Sequence, residues 1–445
     1  MGAGVKLSLE LQNQSPKVRR VYSAPMSKRL PPFTHPLKLA RWLAFALFAA
    51  LAAWRIVTLN LADHYIDTGE TVAATELPSV EHPVALTREA RQLLDAEPQR
   101  AVALLQRAVR ADPTYGLSYA LLGALWEKAG DARRARSAID AAAAFAPAKV
   151  DVRLIAAGFE LGRDDLAAAL RHSSVALTRR GSLRAAMFPE LLRIADEPAN
   201  REAFSALLAE PVAWWPAFVG FAANKGERLE TVMALYALSE ASAANALQGH
   251  GLAAVLRRLQ REGLWLDARL AWMNALPVEQ LEGMGNVFNG GFEEPLSGVG
   301  FDWVSAKAGH VLVEPLPTSG ATGAAALNVV FRGPRVRFRH LSQQLMLEPG
   351  SYALRGRVRP DGLEAEPGLA WAVSCIGARE RQVGITEHFS GRSAWRKFET
   401  TFTVPAADCA AQVLRLQLGG RVALDFEASG PIWFDDIVIE RLDAR

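Results

Sequence analysis

The spacing of apolar positions changes twice along the chain. Trp42–Trp54 is wholly apolar (WLAFALFAALAAW), and after Arg55 the run resumes as IVTLNLA. Residues 42–62 therefore offer 21 residues with one base and no acid, and about 20 helical residues cross the hydrocarbon core of a bilayer. Arg55 would cost about 2.5–3.5 kcal/mol at the helix centre, but it lies off centre and its long stem can carry the charge to the interface. Trp42 and Trp54 read as interfacial anchors. Residues 63–87 show no sustained period and contain Pro78 and Pro83, so they read as a linker. Residues 88–283 follow a helical period. From 284 to 445 the period becomes two: Tyr352, Leu354, Gly356 and Val358 face one way and Arg355, Arg357 and Arg359 the other. Phe398, Thr400, Phe402 and Val404 form another such face, as do Leu414, Leu416 and Leu418. About eight strands of this kind, spaced by turn signals, predict a β-sandwich.

The helical stretch repeats itself every 34 residues. Ala101, Ala135 and Ala169 keep that spacing, as do Ala108, Ala142 and Ala176, and Pro113 with Pro147. The clearest unit runs from Gly116 to Lys149 and reads Tyr119, Leu122, Gly123, Trp126, Ala135, Ile139, Ala142, Pro147. It resembles the tetratricopeptide repeat. Small residues at Gly123 and Ala135 let two antiparallel helices approach, and the larger ones fill the seam. Gly130 and Asp131 are expected to turn the chain and cap the second helix. The preceding unit keeps mainly its second helix, and the following one has Ser173 where a large apolar residue is expected. Gly263, Ala268, Trp272 and Ala275 repeat the spacing late in the stretch. The resemblance implies an α-solenoid that presents a surface to a protein partner.

The alternating stretch opens with Asn289-Gly290-Gly291-Phe292-Glu293 and Phe301-Asp302-Trp303, continues through Trp395-Arg396-Lys397-Phe398, and closes with Trp433-Phe434-Asp435-Asp436-Ile437. This order resembles the jelly-roll carbohydrate-binding modules of the galactose-binding-like superfamily. The resemblance implies a structural calcium ion where the first and last strands meet, held by Glu293, Asp436 and Asp435 with carbonyls near Gly291. Independently, two acids on paired terminal strands repel unless a cation or a donor lies between them. It also implies contact with polysaccharide through exposed aromatics. Trp395 and Trp433 occupy positions expected in the core, which leaves Trp303 and Trp371 as the candidate sugar platforms.

Charge adds a topology. The sequence carries a net +3, but residues 1–41 hold eight bases and one acid, so a +7 leader precedes a −4 body. This subtraction argues against a basic surface for nucleic acid. Prolines break the leader, which reads as disordered. The positive-inside rule places it in the cytoplasm and the rest of the chain outside. Ala- and Arg-rich usage leans bacterial, which predicts a single-pass inner-membrane protein with a periplasmic body. A leader of 41 residues is long for a signal peptide, so an uncleaved anchor is the favoured reading over cleavage near Ala52-Ala53. In that compartment Cys375 and Cys409, the two cysteines of the sequence, are expected to pair.

Catalytic signatures are lacking in the sequence. It contains no Gly-x-Ser-x-Gly elbow, no His-Glu-x-x-His and no phosphate-binding glycine loop, and its eight histidines are scattered. The sequence thus predicts a multidomain α + β protein: a transmembrane helix, a tetratricopeptide-like α-solenoid and an antiparallel β-sandwich. The expected role is a non-enzymatic periplasmic scaffold in extracellular polysaccharide assembly or export. The alternatives are a glycan-acting enzyme, since a distant carboxylate pair leaves no local signature, and a protein adaptor blind to sugar.

Overall fold

The structure, a computed structural model, describes residues 36–68, 81–242, 245–282, 284–307, 309–333, 336–377, 379–420 and 427–442. Most of the basic leader and residues 69–80 of the expected linker lie outside that set. The first helix is Pro36–Thr68. Among the described residues it is the one helix long and apolar enough to cross a membrane, a property shared by signal sequences. Trp42, Phe45, Phe48 and Trp54 stand exposed on it. The helix runs six residues into the stretch expected to be a linker. Its last turns meet the next helix, with Tyr65 against Ala85 and Asp63 Oδ1 3.1 Å from His82 Nε2.

The helical body starts at Pro83, five residues before the expected boundary, because Pro83–Gln92 is itself a helix with its proline in the first turn. It packs against Pro98–Ala111, so the first repeat unit has both helices and not mainly its second one. The next two pairs are Gly116–Lys128 with Ala132–Phe145 and Val150–Leu161 with Leu166–Arg179. The second helices begin at Pro98, Ala132 and Leu166, which reproduces the 34-residue period. Asp131 and Asp165 cap two of them, accepting from the Arg134 and Ala168 amides at 3.1 and 2.9 Å. Each satisfies an amide that the first turn leaves without a helical partner. Between the helices of the central pair, Ile139 Cδ1 lies 2.8 Å from where a Cβ at position 123 would stand, so glycine sets their separation.

Beyond Arg179 the packing is more aromatic. Trp214 and Trp215 are fully buried with Phe204 and Phe218, and Trp215 opens the helix Trp215–Lys225. Helices Leu229–Glu240, Gly249–Arg261 and Trp265–Asn274 complete this core. Ala268 and Trp272, from the late repeat signature, are both buried in it.

The C-terminal region holds two antiparallel sheets. Strands β1 (Val304–Ser305), β4 (Leu341–Leu345), β10 (Gln412–Leu418), β6 (Leu369–Cys375) and β7 (Arg381–Ile385) form one in that order. The other runs β2 (Val311–Leu316), β3 (Ala326–Phe331), β11 (Ala428–Arg441), β5 (Gly350–Ala365), with β8 (Gly391–Arg392) and β9 (Arg396–Val404) both pairing with β5. The alternation seen in the sequence decides the faces. Leu354 and Val358 of one sheet meet Leu414, Leu416 and Trp371 of the other in a single core. β5 and β11 pair over most of their length and form the centre of the second sheet.

Candidate functional site

The acidic corner of the β domain forms where the opening segment meets β11. Asn289 and Phe292 both adopt left-handed backbone (φ 48° and 56°) and wrap the segment around itself. The Asn289 side chain fastens that turn, donating to Glu294 O at 2.8 Å and accepting from Glu294 N at 3.2 Å. Gly290 O accepts from Ile437 N at 2.9 Å, and a Cβ at position 290 would fall 2.0 Å from Ile437 O. Only glycine permits that approach. Asp436, also left-handed (φ 53°), lies in the irregularity of the β11–β5 ladder between Asp435 and Val438.

Each predicted metal ligand is engaged by a donor from the protein. Glu293 Oε2 accepts from Ala324 N at 2.9 Å. Asp435 Oδ2 accepts from Thr322 N at 2.8 Å, and Asp436 Oδ2 from the Thr322 hydroxyl at 2.5 Å. Arg357 Nη1 stands 3.6 Å from Asp435 and 3.8 Å from Asp436, while its two terminal nitrogens donate to Thr322 Oγ1 and Gly320 O at 2.6 and 2.8 Å. Burial pushes the Asp435 carboxyl above the ordinary carboxylate range, the Asp436 charge adds to this, and the amides and Arg357 act against it. A calcium shell needs about six to eight oxygens. Among the described residues no three His, Cys, Asp or Glu side chains converge in a way that could hold an ion. A guanidinium already lies beside both carboxylates. These residues do not fit a calcium site; they latch the β2–β3 loop onto the sheet. Arg357 and Thr322 were missed because they are 35 residues apart and no local pattern joins them.

The tryptophans reverse the expectation. Trp303 and Trp371 are fully buried with ring centroids 5.4 Å apart, and Trp303 Nε1 donates to Asn289 O at 3.0 Å. Both belong to the core and present no face to a sugar. Trp395 and Trp433, expected in the core, are half-exposed on the outer side of the second sheet. Trp433 lies between Ile432 and Phe434, which are both fully buried, so strand alternation turns it outward. Arg359 sits 5.2 Å from the Trp395 ring and 5.0 Å from the Trp433 ring, and Arg357 5.0 Å from Trp395. Trp395 Nε1 donates to Ser319 O at 3.0 Å, which ties the same β2–β3 loop down a second time. Cys375 and Cys409 form the expected disulfide, joining the end of β6 to the turn before β10.

The repeat residues build a different feature. Leu122, Gly123, Ala135, Ile139 and Ala142 are buried, Tyr119 and Trp126 are half-exposed, and Pro147 is exposed beyond the second helix. A groove of about 660 Å³ runs between the second helices Pro98–Ala111 and Ala132–Phe145. Tyr119, Leu122 and Trp126 of the intervening helix form its floor, and Arg110, Arg133 and Arg134 stand on its walls.

No family model matches the chain, and no curated protein matches it either. Solved structures show partial likeness. The CBM4 structure is 14% identical over 35% of this chain and 99% of its own, with a TM-score of 0.27. A family 61 carbohydrate-binding module, solved with β-1,4-galactotriose, is 24% identical over 36% of this chain and 100% of its own, with a TM-score of 0.26. The CBM22-1 xylan-binding domain from Paenibacillus barcinonensis Xyn10C is 16% identical over 32% of this chain and 87% of its own, with a TM-score of 0.24. The carbohydrate-binding modules match over the C-terminal β region.

Proposed function

We propose that this chain is a non-enzymatic scaffold anchored in a bacterial inner membrane, serving extracellular polysaccharide assembly or export from the periplasmic side. In this reading the helix pairs are a tetratricopeptide-like solenoid that docks a protein partner. The β domain is a jelly-roll module that contacts polysaccharide or the assembled complex. The observation that carries the reading is the groove of about 660 Å³ with a half-exposed aromatic floor between two successive second helices. The exposed apolar face of Pro36–Thr68, next to a +7 leader, supports the anchor. The order of the Asn-Gly-Gly-Phe-Glu and Trp-Phe-Asp-Asp motifs supports the glycan contact.

A photo-crosslinking residue at Ser137, on the groove wall, tests the docking role in the full chain in its own membrane. A discrete protein adduct, missing when the crosslinker stands at exposed Glu81 instead, is expected. Identical adducts at both positions would reject the scaffold. A glycan array probed with the full chain in detergent tests the β domain. Retention of at least one acidic or neutral polysaccharide, unaffected by chelator, is expected. Retention of none removes the polysaccharide contact and leaves a protein adaptor.

A further inference from the structure

The groove between the second helices has a charge that its surroundings lack. On the helices around it, most arginines and lysines are neutralised. Arg107 meets Glu81 at 3.0 Å, Arg100 meets Glu89 at 3.1 Å, Lys128 meets Asp95 at 2.8 Å and Arg163 meets Glu127 at 3.8 Å. Arg136 forms a two-point pair with the buried Glu160, at 2.5 and 3.0 Å. Arg110 and Arg133 have no carboxylate within 4.0 Å among the described residues, and both are exposed. Arg134 has only Asp131, at 3.4 Å. The groove lining contains three arginines and no acid. Between the arginines the floor is apolar and aromatic, and Phe145, 48% exposed, packs on Tyr119 with 5.5 Å between centroids.

We infer that this groove takes an acidic peptide segment of a partner protein, one that carries at least one apolar side chain. The inference rests on the scaffold reading and specifies its partner. Carboxylates on such a segment would meet Arg110 and Arg133, where a guanidinium can bind them in two-point fashion. An aromatic or aliphatic side chain would cover Tyr119, Trp126 and Leu122 and leave water. The volume lies within the usual range of ligand sites, about 300–1,000 Å³. The chain's own leader is excluded as occupant by its charge of +7. An acidic polysaccharide is the poorer fit, because the uncharged polar groups of the lining are those of Gln106, Ser137, the Tyr119 hydroxyl and the Trp126 indole N–H, too few for the many hydroxyls of a sugar chain.

The test is a random twelve-residue peptide library displayed on phage and selected on the full chain in detergent micelles. Enriched sequences are expected to be acidic with an aromatic or aliphatic residue. The double variant R110E/R133E, whose melting temperature should match the parent's because both positions are exposed, is expected to bind them at least tenfold more weakly. Raising the ionic strength should weaken the parent's binding as well. Enrichment without acidic bias would overturn the inference, as would unchanged binding by the double variant. Tighter binding of polygalacturonate than of every selected peptide, through the same two arginines, would also overturn it. Each of these results leaves the scaffold standing if Ser137 still crosslinks a discrete partner, whereas loss of that adduct rejects the scaffold itself.

Discussion

Arg357 stands 3.6 Å from the fully buried Asp435 and 3.8 Å from Asp436. Arg357→Met keeps much of the stem and removes the charge, leaving two carboxylates beside each other under a loop. Breaking a buried pair by deleting one partner costs about 3–5 kcal/mol, and the partial exposure of this arginine places the expected loss nearer 2–4 kcal/mol. The pH dependence has a definite sign. Asp435 has its folded pKa raised, first by burial, so the native state holds the proton more tightly than the unfolded chain. Stability from this group is therefore present in acid and falls as pH rises from the ordinary carboxylate range through the folded pKa. Without Arg357 the raised range extends upward, so the variant should approach the parent at acid pH and fall furthest behind at neutral pH. Melting curves from pH 4 to 7 decide this, and equal stability at pH 7 rejects the latch. Melting with calcium and with chelator is expected to coincide, because a native-state ligand would separate the two. His172 titrates in the opposite sense. Burial first, then Arg153, whose Nη1 lies 2.8 Å from His172 Nδ1, push its pKa down, with Arg171 and Arg136 adding to this and Glu160 opposing it. The unfolded chain then takes the proton first, so stability is present above about pH 6.5 and lost as pH falls through the folded value. His172→Gln should flatten that loss of melting temperature between pH 7 and 5, and a retained slope would place its cause elsewhere. At this scale the sequence located the acidic corner but not its cation. Strand alternation alone turns Arg357 outward, and only the tertiary path of residues 317–325 covers it.

The elements were more legible than the side chains. The 34-residue period predicted helix starts because the second and third pairs repeat the same local chemistry. A left-handed residue, Gly130 (φ 81°) or Asp164 (φ 60°), turns the chain, and an aspartate caps the next helix. What the period did not show was the helix Pro83–Gln92 and the last six residues of Pro36–Thr68, since both lie in sequence too short or too mixed to display a full period. The strands were legible by alternation, but the partition of tryptophans between core and surface was not, because a shift of one residue exchanges the faces. Gly123 gives a quantitative check of the helix pairing. Adding a methyl group there forces it to within 2.8 Å of Ile139 Cδ1 and 3.3 Å of Ala135 O. Gly123→Ala is expected to cost about 1–3 kcal/mol by overpacking, despite alanine's higher helix propensity. Ile139→Ala removes both clashing carbons, Cγ1 and Cδ1, so the double variant should be more stable than the sum of the single changes. Additive effects in denaturant titration would show that the two positions do not touch.

At the scale of the whole molecule, the helical array and the β domain share a core. Phe301, from the opening segment of the β domain, is buried among the helices, with its ring centroid 5.6 Å from that of Trp272. Phe288 meets the same indole edge-on at 5.0 Å, and Arg269 lies 5.6 Å from the Phe301 ring. Gln260 of the helix Gly249–Arg261 donates to Gln344 of β4 at 2.6 Å. A spacer joining independent domains would not bury such groups, since a side chain ordered at an interface loses rotamer freedom that its contacts must exceed. The sequence placed the change of period near 283 and read it as a boundary, whereas residues 288–301 belong physically to both sides of it. The consequence is cooperative unfolding. The parent's described body is expected to melt in one calorimetric transition, because the helices that hold Trp272 cannot open without exposing Phe301. Trp272→Ala removes the indole that Phe288 and Phe301 pack on, at an expected cost of about 3–5 kcal/mol. The array and the sandwiched sheets should then melt as two transitions, the disulfide-bearing β domain at the higher temperature. Two transitions in the parent, or one in the variant at an unchanged temperature, would show that the halves are energetically separate. Where the coupling holds, a partner seated on the helices stabilises the β domain as well, because a ligand of the native state raises the stability of every part that unfolds with it.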